Sequence, residues 1–169
     1  MMQTNDTLRI MDITFSSSVD GTGFRDVLFV NYCPHHCEGC HNRETWDKAN
    51  GRDVSIDYCF GELTKSSLTN VTFSGGEPFC QAKPLKKLAE KLIAAGKNIW
   101  IYSGYTFEEI IKDEEKKELL ALCTVLVDGR FVLSQKGINM RFKGSENQRI
   151  LDVKKSLENM EPVLANLEF

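Results

Sequence analysis

The chain has 169 residues, enough for one domain with a core of its own. Its hydrophobic fraction of 41% and charged fraction of 27% are those of an ordinary globular protein. A net charge of −3 gives no basis for a nucleic-acid or membrane-binding surface.

Residues 1–15 are interrupted by Asp6, Arg9 and Asp12, so they read as neither a signal peptide nor a membrane span. The expected compartment is the cytoplasm. The run Asp20-Gly21-Thr22-Gly23-Phe24-Arg25 reads by itself as a flexible turn. Residues 27–30 are a short apolar run that leads into Cys33-Pro34-His35-His36-Cys37-Glu38-Gly39-Cys40. Residues 56–68 read as a helix with Ser55 as N-cap. Residues 71–73 form a short strand stopped by Gly75-Gly76. Residues 84–95 read as a helix, because Pro84 suits a first turn, Leu85, Leu88 and Leu92 share a face, and Gly96 ends it. Residues 99–102 are the next strand. Thr106-Phe107-Glu108-Glu109 has the capping-box pattern and opens a helix to residue 112. A helix over 115–122 and a strand over 124–127 follow, ending in Asp128-Gly129.

This alternation predicts an α/β fold with parallel strands and helical crossovers, in a single domain over 1–169. A complete eight-unit barrel takes about 250 residues, so the expected form is a partial, open (β/α) barrel. Ligands bind beyond the carboxyl ends of parallel strands. Cys33, Gly75-Gly76-Glu77, Ser103-Gly104 and Asp128-Gly129-Arg130 each follow a predicted strand, so all four are expected on one rim.

Six cysteines in a cytoplasmic chain point away from a disulfide framework and toward metal or catalysis for the clustered three. Cys59, Cys80 and Cys123 are scattered and read as small buried hydrophobes. Positions 33, 37 and 40 would share a helical face, but Pro34, Gly39 and the preceding β-like run favour a loop. Cys33, Cys37, Cys40 and His41 could make a zinc tetrahedron, although adjacent Cys40 and His41 chelate awkwardly and no second arm exists. The third reading is a [4Fe–4S] cluster with three thiolate ligands and one iron open to a ligand. A double glycine at a strand end allows close backbone approach. Glu77 beside it offers a carboxylate suited to an ammonium group.

The spacing C-x3-C-x2-C is the hallmark of the radical S-adenosylmethionine enzymes, which the chain resembles. Ser74-Gly75-Gly76-Glu77-Pro78 resembles that superfamily's GGE(P) motif. The segment 20–25 resembles the G-x-G-x-R entry of glycyl-radical-enzyme activases, and residues 100–105 resemble their strand and "(T/S)GY" turn. Residues 125–131 and 141–149, ending Asn147-Gln148-Arg149, are similar to the "LVDG-x-F … R-x-GS-x-NQ" ending of the anaerobic ribonucleoside-triphosphate reductase activating proteins. The polar tail and the Asp128-Gly129-Arg130 turn read without that likeness as a surface hairpin and a tight turn. The chain departs from the family in having Tyr32 where glycine is frequent, Gly21-Thr22-Gly23 for Gly-Pro-Gly, and His41 for Tyr or Phe.

The resemblance implies a [4Fe–4S] cluster on Cys33, Cys37 and Cys40. It implies S-adenosylmethionine bound by Gly39, Cys40, His41, Gly75, Gly76, Glu77, Asp128 and Arg130. The implied reaction makes a glycyl radical on an anaerobic ribonucleoside-triphosphate reductase, with a flavodoxin-like one-electron donor. Alternatives are an activase of another glycyl radical enzyme, such as pyruvate formate-lyase, and a non-catalytic zinc-binding module.

Overall fold

The computed structural model describes residues 6–167. One seven-stranded sheet organises them, in the order β3-β1-β2-β4-β5-β6-β7. The strands are β1 (Thr7–Ser17), β2 (Arg25–Val30), β3 (Arg52–Ser55), β4 (Asn70–Gly75), β5 (Ile99–Tyr102), β6 (Val125–Asp128) and β7 (Arg149–Asp152). The helices are α1 (Ile56–Leu63), α2 (Ala82–Ala94), α3 (Phe107–Ile110), α4 (Glu114–Leu120) and α5 (Val153–Asn159). The four central strands β2, β4, β5 and β6 are parallel, as the alternating pattern predicts. The outer strands depart from that expectation: β1, β3 and β7 each pair antiparallel with their neighbours. Among the described residues no helix is long and apolar enough to cross a membrane.

Period-two alternation divides the sheet into two faces. Leu28, Phe73, Ile101 and Leu126 face α1, α2 and α4 and pack with Leu63, Leu85, Leu88, Leu92 and Leu119. Cys59 and Cys123 lie in this layer as the small buried hydrophobes expected of them. Cys80 does not. It is exposed on the 3₁₀ turn Pro78–Gln81, which turns Phe79 into the core instead. Trp100, Val125 and Val127 lie on the opposite face, covered by Phe142.

Most element ends follow from their caps. Ser55 Oγ accepts from Tyr58 N at 3.0 Å, Thr106 Oγ1 from Glu109 N at 3.2 Å, and Asp113 Oδ1 from Lys116 N at 3.1 Å. Helix α1 stops at Leu63, short of the expected residue 68. The Lys97 ammonium takes the carbonyls of Ser66 and Thr69, both at 2.6 Å, and holds that stretch as a loop. Helix α2 starts at Ala82, which leaves Pro84 in its first turn, where the missing N–H has no cost.

The approach of β2 to β4 decides the glycines. A Cβ on Gly75 would lie 2.5 Å from both Val30 N and Val30 O, and one on Gly76 would overlap the Tyr32 carbonyl. The double glycine therefore admits neighbouring backbone. Replacing Gly76 with alanine should cost about 2–3 kcal/mol, because backbone on both sides cannot yield. Gly61 in α1 has open space, so Gly61→Ala should instead gain about 0.5 kcal/mol. Denaturant unfolding of the two variants measures both.

Candidate active site

Because the central strands are parallel, the segments after β2, β4, β5 and β6 meet at one edge. They enclose a cavity of about 160 Å³. Cys33, Cys37 and Cys40 all line it, with Gly75 and Gly76 at the end of β4, Ser103 and Gly104 after β5, and Gly129 after β6. The four rim stretches anticipated from the strand order do converge.

The cysteine loop is a turn, not a helix, with left-handed backbone at Tyr32 (φ 79°), His36 (φ 50°) and Gly39 (φ 77°). Main-chain bonds fix its course. Cys40 N donates to Cys37 O at 3.1 Å, Tyr32 N to Thr45 O at 2.6 Å, and Glu77 N to Tyr32 O at 2.8 Å. Asn42 Nδ2 donates to Gly75 O at 3.3 Å, joining loop to floor. His36 stacks on Trp46, with ring centres 4.5 Å apart.

Burial, with a smaller push from the Glu77 carboxylate, raises the Cys33 thiol to about 11, and burial raises Cys37 as well. Burial thus favours the protonated form of both thiols, whereas a bound cation would favour the thiolate. Among the described residues no three His, Cys, Asp or Glu side chains close on a point as one metal ion demands. The three cysteines nevertheless line one cavity. That donor set suits a cluster, whose irons each take a separate thiolate, better than a single zinc ion. His41, the fourth ligand that zinc would need, is exposed and turns to Phe131, ring centres 5.9 Å apart.

Of the cofactor-binding residues expected from sequence, Cys40, Gly75 and Gly76 line the cavity, whereas Gly39, His41, Glu77, Asp128 and Arg130 stand behind or beside it. Gly39 faces Leu133, whose Cδ1 would lie 2.8 Å from an added Cβ. Glu77 is fully buried and holds four partners, described below. Asp128 is also fully buried. It accepts from Phe107 N at 2.7 Å, from Arg149 Nε at 3.0 Å and from Arg149 Nη2 at 2.5 Å. Arg130 is exposed and reaches Glu109 at 3.5 Å. Cavity residues not picked out from sequence include Trp46, Tyr102, Phe131 and Gln148. Motifs over 100–105, 125–131 and 141–149 contained the last three of these, and Trp46 had no such signal. Gln148 Nε2 donates to Gly129 O at 2.9 Å and Asn147 Nδ2 to Arg130 O at 2.7 Å, so the Asn-Gln pair clamps the turn after β6.

A family model described as a 4Fe-4S single cluster domain matches residues 19–151. Three similar proteins carry the name anaerobic ribonucleoside-triphosphate reductase-activating protein. The one from Enterobacteria phage T4 is 34% identical, over 78% of this chain and 86% of its own. The one from Vibrio cholerae is 34% identical, over 78% and 90%. The one from Escherichia coli K12 is 33% identical, over 77% and 89%. In fold, the chain is similar to the crystal structure of QueE from Escherichia coli, with a TM-score of 0.52 and 19% identity. That match covers 59% of this chain and 54% of the other.

The Arg149 guanidinium also forks onto Glu108, at 3.1 and 2.8 Å, and so ties β7, β6 and α3 together. Arg149→Ala strands the buried Asp128 charge and should cost about 3 kcal/mol, the low end for a buried pair because Arg149 is part-exposed. Arg149→Lys should recover less than half, having lost the fork. Arg149 holds the Glu108 carboxyl below its ordinary 4.5. Its share is therefore present above pH 4.5 and fades as pH falls through the lowered folded value. Unfolding of the three proteins at neutral and acid pH checks this.

Proposed function

The chain belongs to the anaerobic ribonucleoside-triphosphate reductase-activating proteins and carries their 4Fe-4S single cluster domain, and we propose that the cavity at the carboxyl ends of β2, β4, β5 and β6 is its working site. It is an oxidoreductase that activates anaerobic ribonucleoside-triphosphate reductase by generating a glycyl radical on it, through reductive cleavage of S-adenosylmethionine at a [4Fe–4S] cluster. The observation that carries this reading is the meeting of three cysteines with the Gly75-Gly76 and Ser103-Gly104 turns around one cavity.

Cys33, Cys37 and Cys40 would hold the cluster. Bound there, it would supply the one-electron reducing chemistry that S-adenosylmethionine cleavage needs. The chain's own residues bind, orient and shield. Gly75, Gly76 and Cys40 give the cofactor a close backbone floor. Gly39, His41, Asp128 and Arg130 shape the rim around it. Trp46 and Phe131 provide apolar wall that would keep water from the cavity.

Tyr102 lines both this cavity and a second hollow of about 390 Å³, on the helix-free face between residues 18–20 and 140–144. Its hydroxyl donates to Phe142 O at 2.7 Å and so fixes the partition between the two. This small chain does not enclose a large substrate, and the reductase's glycine loop completes the closure. A flavodoxin-like protein delivers the electron, and the setting is cytoplasmic. We read the sheet as a partial, open barrel of the radical S-adenosylmethionine type, with residues 1–169 as a single domain. The continuous sheet and its likeness in fold to QueE support that reading.

After anaerobic reconstitution, the wild type should bind iron, absorb in the visible charge-transfer region and cleave S-adenosylmethionine with a reductant. Cys37→Ala should retain under about a tenth of both, since two thiolates cannot hold the cubane. Normal cluster binding and cleavage by Cys37→Ala would defeat the assignment. With the reductase added, electron paramagnetic resonance should show a glycyl radical.

A further inference from the structure

Glu77 is more heavily engaged than a ligand-facing carboxylate should be. A carboxylate offers about four lone-pair sites. Oε1 accepts from Phe79 N at 3.0 Å and from Ser103 Oγ at 2.9 Å. Oε2 accepts from Gly104 N at 2.8 Å and from His35 Nε2 at 2.7 Å, with Ser103 Oγ also 3.0 Å away. These four donors occupy the group, and its side chain is 0% exposed.

Of the four donors, His35 alone comes from the cysteine loop, between Cys33 and Cys37. A carboxylate only accepts, so the imidazole donates through Nε2. The surroundings are shaped to that ring. Its side chain is 5% exposed, its edge meets Tyr105 with ring centres 4.6 Å apart, and a Cβ on Gly104 would overlap it. The glycine of the Ser103-Gly104 turn is thus explained by the imidazole it accommodates.

We propose that His35 is a positioning residue: it clamps Glu77 as a saturated brace between the cysteine loop and the turn after β5, and so presets the backbone floor that receives the methionine end of S-adenosylmethionine. The proposal rests on the functional reading above and deepens it. Glu77 acts through the geometry of Gly76, Ser103 and Gly104, not by reaching the ligand ammonium itself. Removing His35 frees one carboxylate site and cuts the link that runs through Glu77 from the loop to the turn after β5, with Cys33, Cys37 and Cys40 untouched.

The test is a titration of reduced, cluster-loaded protein with S-adenosylmethionine, followed by the change in the cluster's electron paramagnetic resonance signal. His35→Ala should keep wild-type iron content and the wild-type signal before ligand, while half-saturation shifts to about tenfold higher S-adenosylmethionine, as expected for losing one charge-assisted hydrogen bond. His35→Gln, which can donate from a similar place, should fall within about threefold of wild type. Because His35 acts through Glu77, the double variant His35→Ala, Glu77→Gln should bind no more weakly than Glu77→Gln alone. Gly104→Ala leaves both partners present but displaces the imidazole, and should reproduce the His35→Ala shift. Any of three results overturns the brace: an unshifted His35→Ala or Gly104→Ala, a Gln variant as weak as Ala, or effects that multiply in the double variant. A wild-type cluster that ignores S-adenosylmethionine overturns the functional reading itself, and the brace with it.

Discussion

The rim of this molecule hangs on two backbones that run closer than side chains would permit. β2 and β4 pair in parallel from Arg25–Asn70 to Val30–Gly75, and the contact continues past the end of the strands. Gly76 N donates to Val30 O at 2.9 Å, and Glu77 N to Tyr32 O at 2.8 Å. The cysteine loop and the Gly75-Gly76-Glu77 turn are therefore one hydrogen-bonded unit, not two motifs that happen to face each other. Any residue with a Cβ at Gly76 would force the two apart and carry Cys33 with it. The glycines matter to chemistry through that constraint, by fixing where the thiols stand.

The far end of the same strands shows the opposite solution, a buried charge in place of missing side chains. Arg25 opens β2 and is 1% exposed, and burial lowers it to about 10. It is held by Thr72 Oγ1 at 2.9 Å, Val71 O at 2.7 Å and Asn98 Oδ1 at 2.7 Å, with Trp100 beneath at 5.6 Å. Neutral acceptors around a guanidinium avoid a second desolvated charge. Gly21 is glycine because a Cβ there would lie 2.6 Å from Arg25 Cδ and 2.9 Å from Trp100. The stretch Gly21-Thr22-Gly23-Phe24-Arg25 thus latches β2, β4 and β5 at the end away from the cysteines. Its bearing on function is indirect: it keeps the strand ends level at the other side.

Local chemistry was legible in the sequence, and long-range pairing was not. Strand 99–102 and the caps Ser55 and Thr106 could be read because each depends on neighbours within four residues. β1 escaped because its alternation of buried Leu8 and Ile10 is broken by register irregularities between Ile10 and Asp12 and between Thr14 and Ser17. β7 escaped because its four residues carry little pattern until they lie against β6. At the site, the thiols and glycines announced themselves by spacing. The partners of Glu77 and Asp128 did not, since His35 lies 42 residues from Glu77 and Arg149 lies 21 from Asp128. Glu77 holds four protein donors, and Asp128 accepts three hydrogen bonds from Phe107 and Arg149.

Tyr32 shows how a side chain is accommodated in a conformation that suits glycine. Its φ of 79° is the left-handed conformation that glycine adopts freely. A tyrosine in that conformation carries a strain of about 1 kcal/mol or more, and such residues persist only where the surroundings over-determine them. Here they do. Its amide is fixed by Thr45 and its carbonyl by Glu77, while the Lys48 ammonium rests 4.7 Å from the ring centre. With His36 also left-handed and stacked on Trp46, the strained positions bracket Cys33 and are each held from outside the loop. A loop pinned in this way has the positions of its cysteines set by contacts from neighbouring segments, so the cost of its left-handed residues falls on folding.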